Sequence, residues 1–169
     1  MNAIEPLVHL VDNDPQVLKA VARLLASAGY RTQTNLSAAE FLARYDRTAP
    51  GCLVLDVAMP EQTGLELQHM LHDEGIDVPI VFLSGCSEVP QSVLAMKQGA
   101  VDFLTKPVDG EALVEAVGRA VEFDKRQRER SEEAHTLHER LDALTPRERE
   151  ILPFLVSGKL NKQIAGDLG

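Results

Sequence analysis

Short apolar runs and amphipathic stretches alternate five times over residues 1–124. Leu7–Val11 is a strand-like run, and Asp14-Pro15 then caps a helix that places proline at its first position. Val17, Val21, Leu24, Leu25 and Ala28 recur on one face of that helix, and Gly29 stops it. Arg31–Asn35 reads as a short second strand, and Ser37 with Glu40 forms a capping-box pattern opening a helix toward Tyr45. Cys52–Leu55 is apolar throughout, as expected of a strand covered on both faces. A helix is predicted from Gly64 to about Glu74, with Leu65, Leu67, Met70 and Leu71 for packing. Pro79 opens a fourth strand, Ile80-Val81-Phe82-Leu83, that ends at Ser84-Gly85. Glu88 to Gln98 is predicted helical and stopped by Gly99, Val101–Thr105 is the fifth strand, and a last helix starts near Asp109.

Strands alternating with helices of this length imply a parallel sheet with right-handed crossovers. The predicted product is a five-stranded parallel, flavodoxin-like doubly wound α/β domain. The last helix has no obvious stop. Leu113, Val114, Val117, Ala120 and Val121 give it an apolar face, residues 124–133 are almost wholly polar, and Leu137, Leu141 and Leu144 restore apolar positions. One helix from about 109 to about 140 spans on the order of 45–50 Å, a solvated connector with a possible coiled-coil seam. Thr145-Pro146-Arg147-Glu148 opens a further helix by a capping box. Its Pro153 removes a helix hydrogen bond and crowds the carbonyl of Arg149, so a kink or early break is expected there. Asn161 is placed to cap a short helix over 162–168. The expected division is 1–124, a helical linker over 125–143, and a small all-α segment over 144–169.

Composition narrows the class. At 169 residues, 44% hydrophobic and 25% charged, the chain has the make-up of a soluble globular protein. No apolar run approaches the roughly 18 residues of a membrane span. The start, Met1-Asn2-Ala3-Ile4-Glu5, lacks a secretory signal's basic flank and apolar stretch, so no membrane partner is expected. Cys52 and Cys86 are the only cysteines and lack metal-type spacing, which points to a cytoplasmic location and to Cys86 as an inert small residue. The net charge of −9 is uneven: residues 1–124 hold 8 Lys/Arg against 18 Asp/Glu, and residues 125–169 hold 9 against 8. Any nucleic-acid contact is therefore expected in the tail. Arg126, Arg128 and Arg130 are interleaved with acids and read as a solvated face, as do His135 and His138.

The chemistry lies at the strand ends. The first strand runs into Asp12-Asn13-Asp14, the third into Asp56, and the fifth into Lys106-Pro107. Ligands of open α/β sheets bind at this rim. Carboxylates gathered there repel unless a cation offsets them, and Mg²⁺, or Mn²⁺ in its place, suits oxygen donors with phosphate co-ligands. Asp12, Asn13 and Asp56 are the candidate metal-holding residues, and Asp56 is the candidate nucleophile toward a phosphoryl group. Ser84 and Lys106 are placed to meet phosphoryl oxygens, and Lys106-Pro107 is a candidate cis peptide. Asp12-Asn13-Asp14 also resembles the Asp-x-Asp start of haloacid-dehalogenase-like phosphatases, which would put the nucleophile at Asp12 in an enzyme.

A wider resemblance covers nearly the whole chain. Val11-Asp12, Leu55-Asp56, Met59-Pro60, Gly64, Ser84-Gly85, Gly99-Ala100-Val101-Asp102-Phe103 and Lys106-Pro107 together resemble a response-regulator receiver domain. Thr145-Pro146-Arg147-Glu148-Arg149-Glu150, Gly158 and Asn161-Lys162-Gln163-Ile164-Ala165 resemble the start of a LuxR-type helix-turn-helix. The pairing, with Val89-Pro90 and Ala95-Met96-Lys97, is similar to FixJ-type two-component transcription regulators. The resemblance implies a non-enzyme in which Asp56 accepts phosphoryl from a sensor histidine kinase, and Ser84 and Lys106 sense it. It implies Phe103 as the switch aromatic, and metal held by Asp56, Asn13, the carbonyl of Ala58 and, through water, Asp12. It also implies a phosphorylation-linked homodimer through the fourth helix, fifth strand and fifth helix, and promoter DNA as the target. Asn13 departs from the family's second direct acidic ligand, so weaker Mg²⁺ binding is expected. A helix-turn-helix reads bases with its second helix, which is expected beyond Gly169, and DNA-contacting residues are left unassigned. A receiver acting only through protein contacts is the third alternative.

Overall fold

The computed structural model describes residues 5–85 and 89–157. Cys86, the start of the predicted helix at Glu88, and the Asn161-capped helix lie outside the described residues. The elements are β1 Leu7–Val11, α1 Pro15–Ser27, β2 Arg31–Asn35, α2 Ala38–Arg44, β3 Gly51–Asp56, α3 Gly64–Asp73, β4 Ile80–Ser84, α4 Val89–Lys97, β5 Asp102–Thr105, α5 Gly110–Asp142 and α6 Pro146–Val156. The five strands form one parallel sheet in the order β2-β1-β3-β4-β5. This is the doubly wound architecture expected from the alternating pattern.

Alternation along the strands divides the core in two. Val11, Leu53, Leu55 and Phe82 pack on one face with Phe41 of α2, Leu67 and Leu71 of α3, and Ala95 of α4. Val8, Leu10, Val54, Val81 and Leu83 pack on the other with Leu18, Val21 and Leu25 of α1 and Leu113, Ala116, Val117 and Ala120 of α5. Every residue of β3 is buried, which is why Cys52 to Leu55 are apolar without alternation before the strand ends at Asp56. Gly51 opens β3 at φ 155, and a Cβ there would lie 1.9 Å from the carbonyl oxygen of Leu7. Only glycine allows that approach.

The helix starts follow their caps. Asp14 accepts from the backbone N–H of Gln16 at 2.8 Å, with Pro15 next in the chain. Thr63 and Glu66 close a reciprocal capping box at α3. At α2 the predicted box is shifted: Ser37 accepts from Glu40 N–H, but the Glu40 carboxylate accepts from Leu36 N–H at 2.7 Å rather than from the cap residue.

The chain divides into compact units Met1–Gln127 and Arg128–Gly169. In the second, Thr145 and Glu148 close their capping box, and the Arg149 guanidinium donates to the Leu141 carbonyl at 3.0 Å. The early break expected at Pro153 does not occur, since α6 runs on to Val156. One bond toward Arg149 is forgone, and the ladder resumes when Ser157 N–H donates to the Pro153 carbonyl at 3.1 Å. His135 and His138 pair with Glu139 and Asp142 one turn on, all four exposed. No described helix is long and apolar enough to cross a membrane.

Candidate functional site

Register assembles the site. Val11 pairs with Leu55, so Asp12 and Asp56 leave adjacent strands at the same level. Asp56 lies opposite Leu83 and Ser84 opposite Thr105, so Ser84 and Lys106 follow stepwise along the same rim. The backbone N–H of Lys106 donates to the Ser84 carbonyl at 2.7 Å, holding β5's end against β4's. The Lys106–Pro107 peptide is cis.

Asp12 and Asp56 are 3% and 4% exposed, too buried to be carried as bare charges. Lys106 offsets both: its Nζ donates to Asp12 Oδ2 at 2.6 Å and to Asp56 Oδ1 at 2.9 Å. Burial opposes the ammonium's charge, but hydrogen bonds and charges from Asp12 and Asp56 outweigh it, and its pKa lies above the usual lysine value. Asp12 Oδ1 accepts from the backbone N–H of Asp14 at 2.8 Å, fixing the turn into α1. The loop after Asp56 closes when Gly64 N–H donates to the Val57 carbonyl. A Cβ on Gly64 would meet the Asp56 carbonyl oxygen at 2.3 Å, so the loop depends on glycine.

The other predicted residues fall around this pair. Ser84 is buried at the end of β4. Asn13 and Ala58 are exposed on the same rim, and Asn13 lines a cavity of about 830 Å³ with Leu36, Met59 and Glu61. Phe103 is half-buried, its ring 6.0 Å from that of Phe82. No group of three or more His, Cys, Asp or Glu side chains suited to a metal occurs among the described residues.

Four buried polar residues escaped the sequence reading, among them Asn35 at the end of β2, 1% exposed, whose side-chain amide donates to the Leu10 carbonyl at 3.3 Å. His9 sits in β1, edge-on to Phe41 and Tyr45, and burial lowers its pKa. Gln68 of α3 and Asp124 of α5 are each 4% exposed. Asp124 accepts from Gly51 N–H at 3.0 Å. The spacing Leu113, Val117, Ala120, Asp124 is a helical stripe, and following it one step further would have placed Asp124 inside. Burial and the Asp124 charge push the Cys52 thiol up to about 12, leaving it inert.

Comparison with known proteins places this geometry. Residues 8–118 match the response regulator receiver domain, and residues 142–169 match the bacterial regulatory proteins of the luxR family. The response regulator protein TmoT of Ectopseudomonas mendocina is 40% identical over 168 residues, 99% of this chain and 76% of the relative. The transcriptional regulatory protein FixJ of Rhizobium meliloti is 38% identical over 161 residues, 95% of this chain and 79% of the relative. The solved structure of the response regulator StyR superposes with a TM-score of 0.89 at 38% identity, over 98% of this chain and 83% of that one.

Proposed function

Because this chain belongs to the response-regulator family, a receiver domain followed by a LuxR-type DNA-binding region, we propose that it controls transcription through phosphorylation of Asp56. The supporting observation is the sharing of the Lys106 ammonium between two buried carboxylates at 2.6 and 2.9 Å. Residues 1–124 form the receiver in this proposal, 125–143 the linker and 144–169 the first part of the helix-turn-helix. The protein works in the cytoplasm with a sensor histidine kinase, a second copy of itself and promoter DNA.

Lys106 occupies Oδ1 of Asp56, which leaves Oδ2 as the attacking oxygen. That oxygen forms the O–P bond as the N–P bond of a phosphohistidine breaks, and the imidazole leaves with the electron pair and is protonated by solvent. The product carries about −1.5 to −2 charges in place of one, with new acceptor oxygens. Lys106 pairs with one of these and the Ser84 hydroxyl donates to another. Phe103, on the neighbouring strand, follows Ser84. Beside it Val93 and Met96 of α4, each close to half exposed, line a groove of about 550 Å³ with Lys97, Asp102 and Phe103. Asp102 in turn pairs with Arg119 of α5. This α4–β5–α5 face is the proposed dimer surface.

Receiver domains generally bind Mg²⁺ at their acidic pocket. The residues here fit such a cation: two buried carboxylates, with the Asn13 amide oxygen and Ala58 carbonyl on a rim open to water. Asp12, Asp56, the Asn13 amide oxygen and the Ala58 carbonyl would hold such a cation, which would supply positive charge to phosphoryl oxygens. Asn13 lacks the charge of a third carboxylate, so Asn13→Asp is expected to tighten Mg²⁺ in a fluorescence or calorimetric titration. No tightening would remove Asn13 from the donor set.

Acetyl phosphate treatment followed by peptide mass spectrometry tests the proposal. A stable adduct on Asp56, lost in Asp56→Asn, is the expected result. An adduct on Asp12 with continuing release of phosphate would instead make the chain a phosphatase.

A further inference from the structure

Helix α4 has little to hold it. Over residues 90–97 its one buried side chain is Ala95, whereas α1 buries Leu18, Val21 and Leu25 and α5 buries five side chains. A further tie comes from α3. Gln68 Nε2 donates to the Ala95 carbonyl at 3.1 Å and to the Gln98 carbonyl at 3.4 Å, both at the C-terminal end of α4.

Capping alone does not account for this amide. The helix end is already closed by Gly99 N–H on the Met96 carbonyl and Ala100 N–H on the Ala95 carbonyl, with Gly99 at φ 90. Gln68 also sits between Leu67 and Leu71, where an apolar side chain would pack without a polar cost. Its Oε1 is buried with no donor among the described residues, so the bridge keeps one polar atom unsatisfied. Next to it lies a cavity of about 270 Å³, lined also by Leu71, Ile80, Gly99 and Phe123. The end of α4 therefore has a specific pair of hydrogen bonds and free space beside them.

We propose that Gln68 is a positioning residue that holds α4 in its resting place and so sets how much Asp56 phosphorylation is needed to form the dimer face. This rests on the function proposed above. A ligand moves an equilibrium only through interactions that differ between its two states. The bond to Ala95 is of ordinary length and the one to Gln98 is long at 3.4 Å, so a displacement of the α4 end loses the second first and then the first, and both count only toward the resting arrangement.

The full chain, treated with graded acetyl phosphate and Mg²⁺, provides the test. Two quantities are read on each sample: the fraction of Asp56 carrying phosphoryl, by mass spectrometry, and the dimer Kd, by sedimentation velocity. Gln68→Leu is close in size and removes the donors. At matched Asp56 occupancy it is expected to tighten the dimer about fivefold, the scale of one ordinary hydrogen bond. Gln68→Met is the second variant should the leucine perturb folding, and the same shift is expected. A residue that only stabilised the fold would lower the thermal midpoint and leave Kd at matched occupancy unchanged. Unchanged or weaker dimers in both variants overturn the role of Gln68 while the phosphorylation proposal stands. Absence of any Asp56 adduct in the wild type overturns both.

Discussion

β3 and β5 are parallel strands of one sheet that end in site residues, yet they are built differently. β3 lies at the centre, pairs on both sides, and buries all six of its residues. β5 is the edge strand, pairs only with β4, and has three half-buried residues and one exposed. Its neighbour α4 carries Val93, Leu94 and Met96 at 45–46% exposure. Low packing density marks the parts of a protein that open or shift most easily. Asp56, the proposed acceptor, thus ends a fully packed strand, Lys106 follows a loosely packed one, and Ser84 ends the buried β4 between them. Lys106 spans the two, with its backbone at the end of β5 and its ammonium on Asp12 and Asp56.

The contrast breaks most directly at Leu53, which is fully buried in β3. Leu53→Ala is expected to cost about 2–5 kcal/mol, the range for a leucine removed from a close-packed core. Urea unfolding measures it. A cost below about 1 kcal/mol would mean that the central strand is no stiffer than the edge.

Gly64→Ala ranks next. Its added Cβ would sit 2.3 Å from the Asp56 carbonyl oxygen, so the loop after Asp56 has to move. Overpacking of this kind costs about 1–3 kcal/mol. The fall in Asp56 adduct formation with acetyl phosphate should exceed what the lost stability explains. A variant that is destabilised but phosphorylated at the wild-type rate would show that loop closure does not position Asp56.

Much of this arrangement was legible in the sequence because strand ends announce themselves. An apolar run that stops at Asp12, Asp56 or Ser84 marks the sheet's rim, and parallel order then brings those ends together. At Pro153 the early break does not follow, since a proline one turn from a helix end removes one bond without ending the helix. His9, Gln68 and Asp124 were hidden for a common reason. Each is a polar residue inside an apolar stripe, and what it packs against or bonds comes from an element far along the chain. The Gly51–Asp124 bond joins residues 73 apart, and Gln68 reaches Ala95 across 27. Periodicity records that a position faces inward, but not which distant carbonyl or N–H waits there.

His9 sharpens the comparison from within the stiff half. Its imidazole packs on Phe41 and Tyr45, its Nδ1 has no partner among the described residues, and burial lowers its pKa from 6.5. The folded state therefore binds the proton less readily than the unfolded chain. Stability contributed by neutral His9 is full above about pH 6.5 and falls as pH drops through the lower, folded value. One proton bounds the slope at about 1.4 kcal/mol per pH unit. His9→Leu should flatten the urea-midpoint curve below pH 6.5. An unchanged curve would assign the acid sensitivity to other groups.

The smallest effect on stability is expected on α4. Val93 and Met96 are each nearly half exposed and face the groove beside Phe103. Val93→Ala and Met96→Ala should each change unfolding free energy by no more than about 0.5 kcal/mol, the range for surface positions. The same variants are expected to weaken the phosphorylated dimer, because a patch that contributes little to the monomer is free to be buried by a partner. Sedimentation at matched Asp56 phosphorylation separates the two outcomes. If Val93→Ala costs stability on the scale of Leu53→Ala, α4 is part of the rigid core, and the division between a fixed acceptor and a yielding face fails. If both variants leave stability and dimer alike untouched, the yielding face is real but the partner surface lies elsewhere.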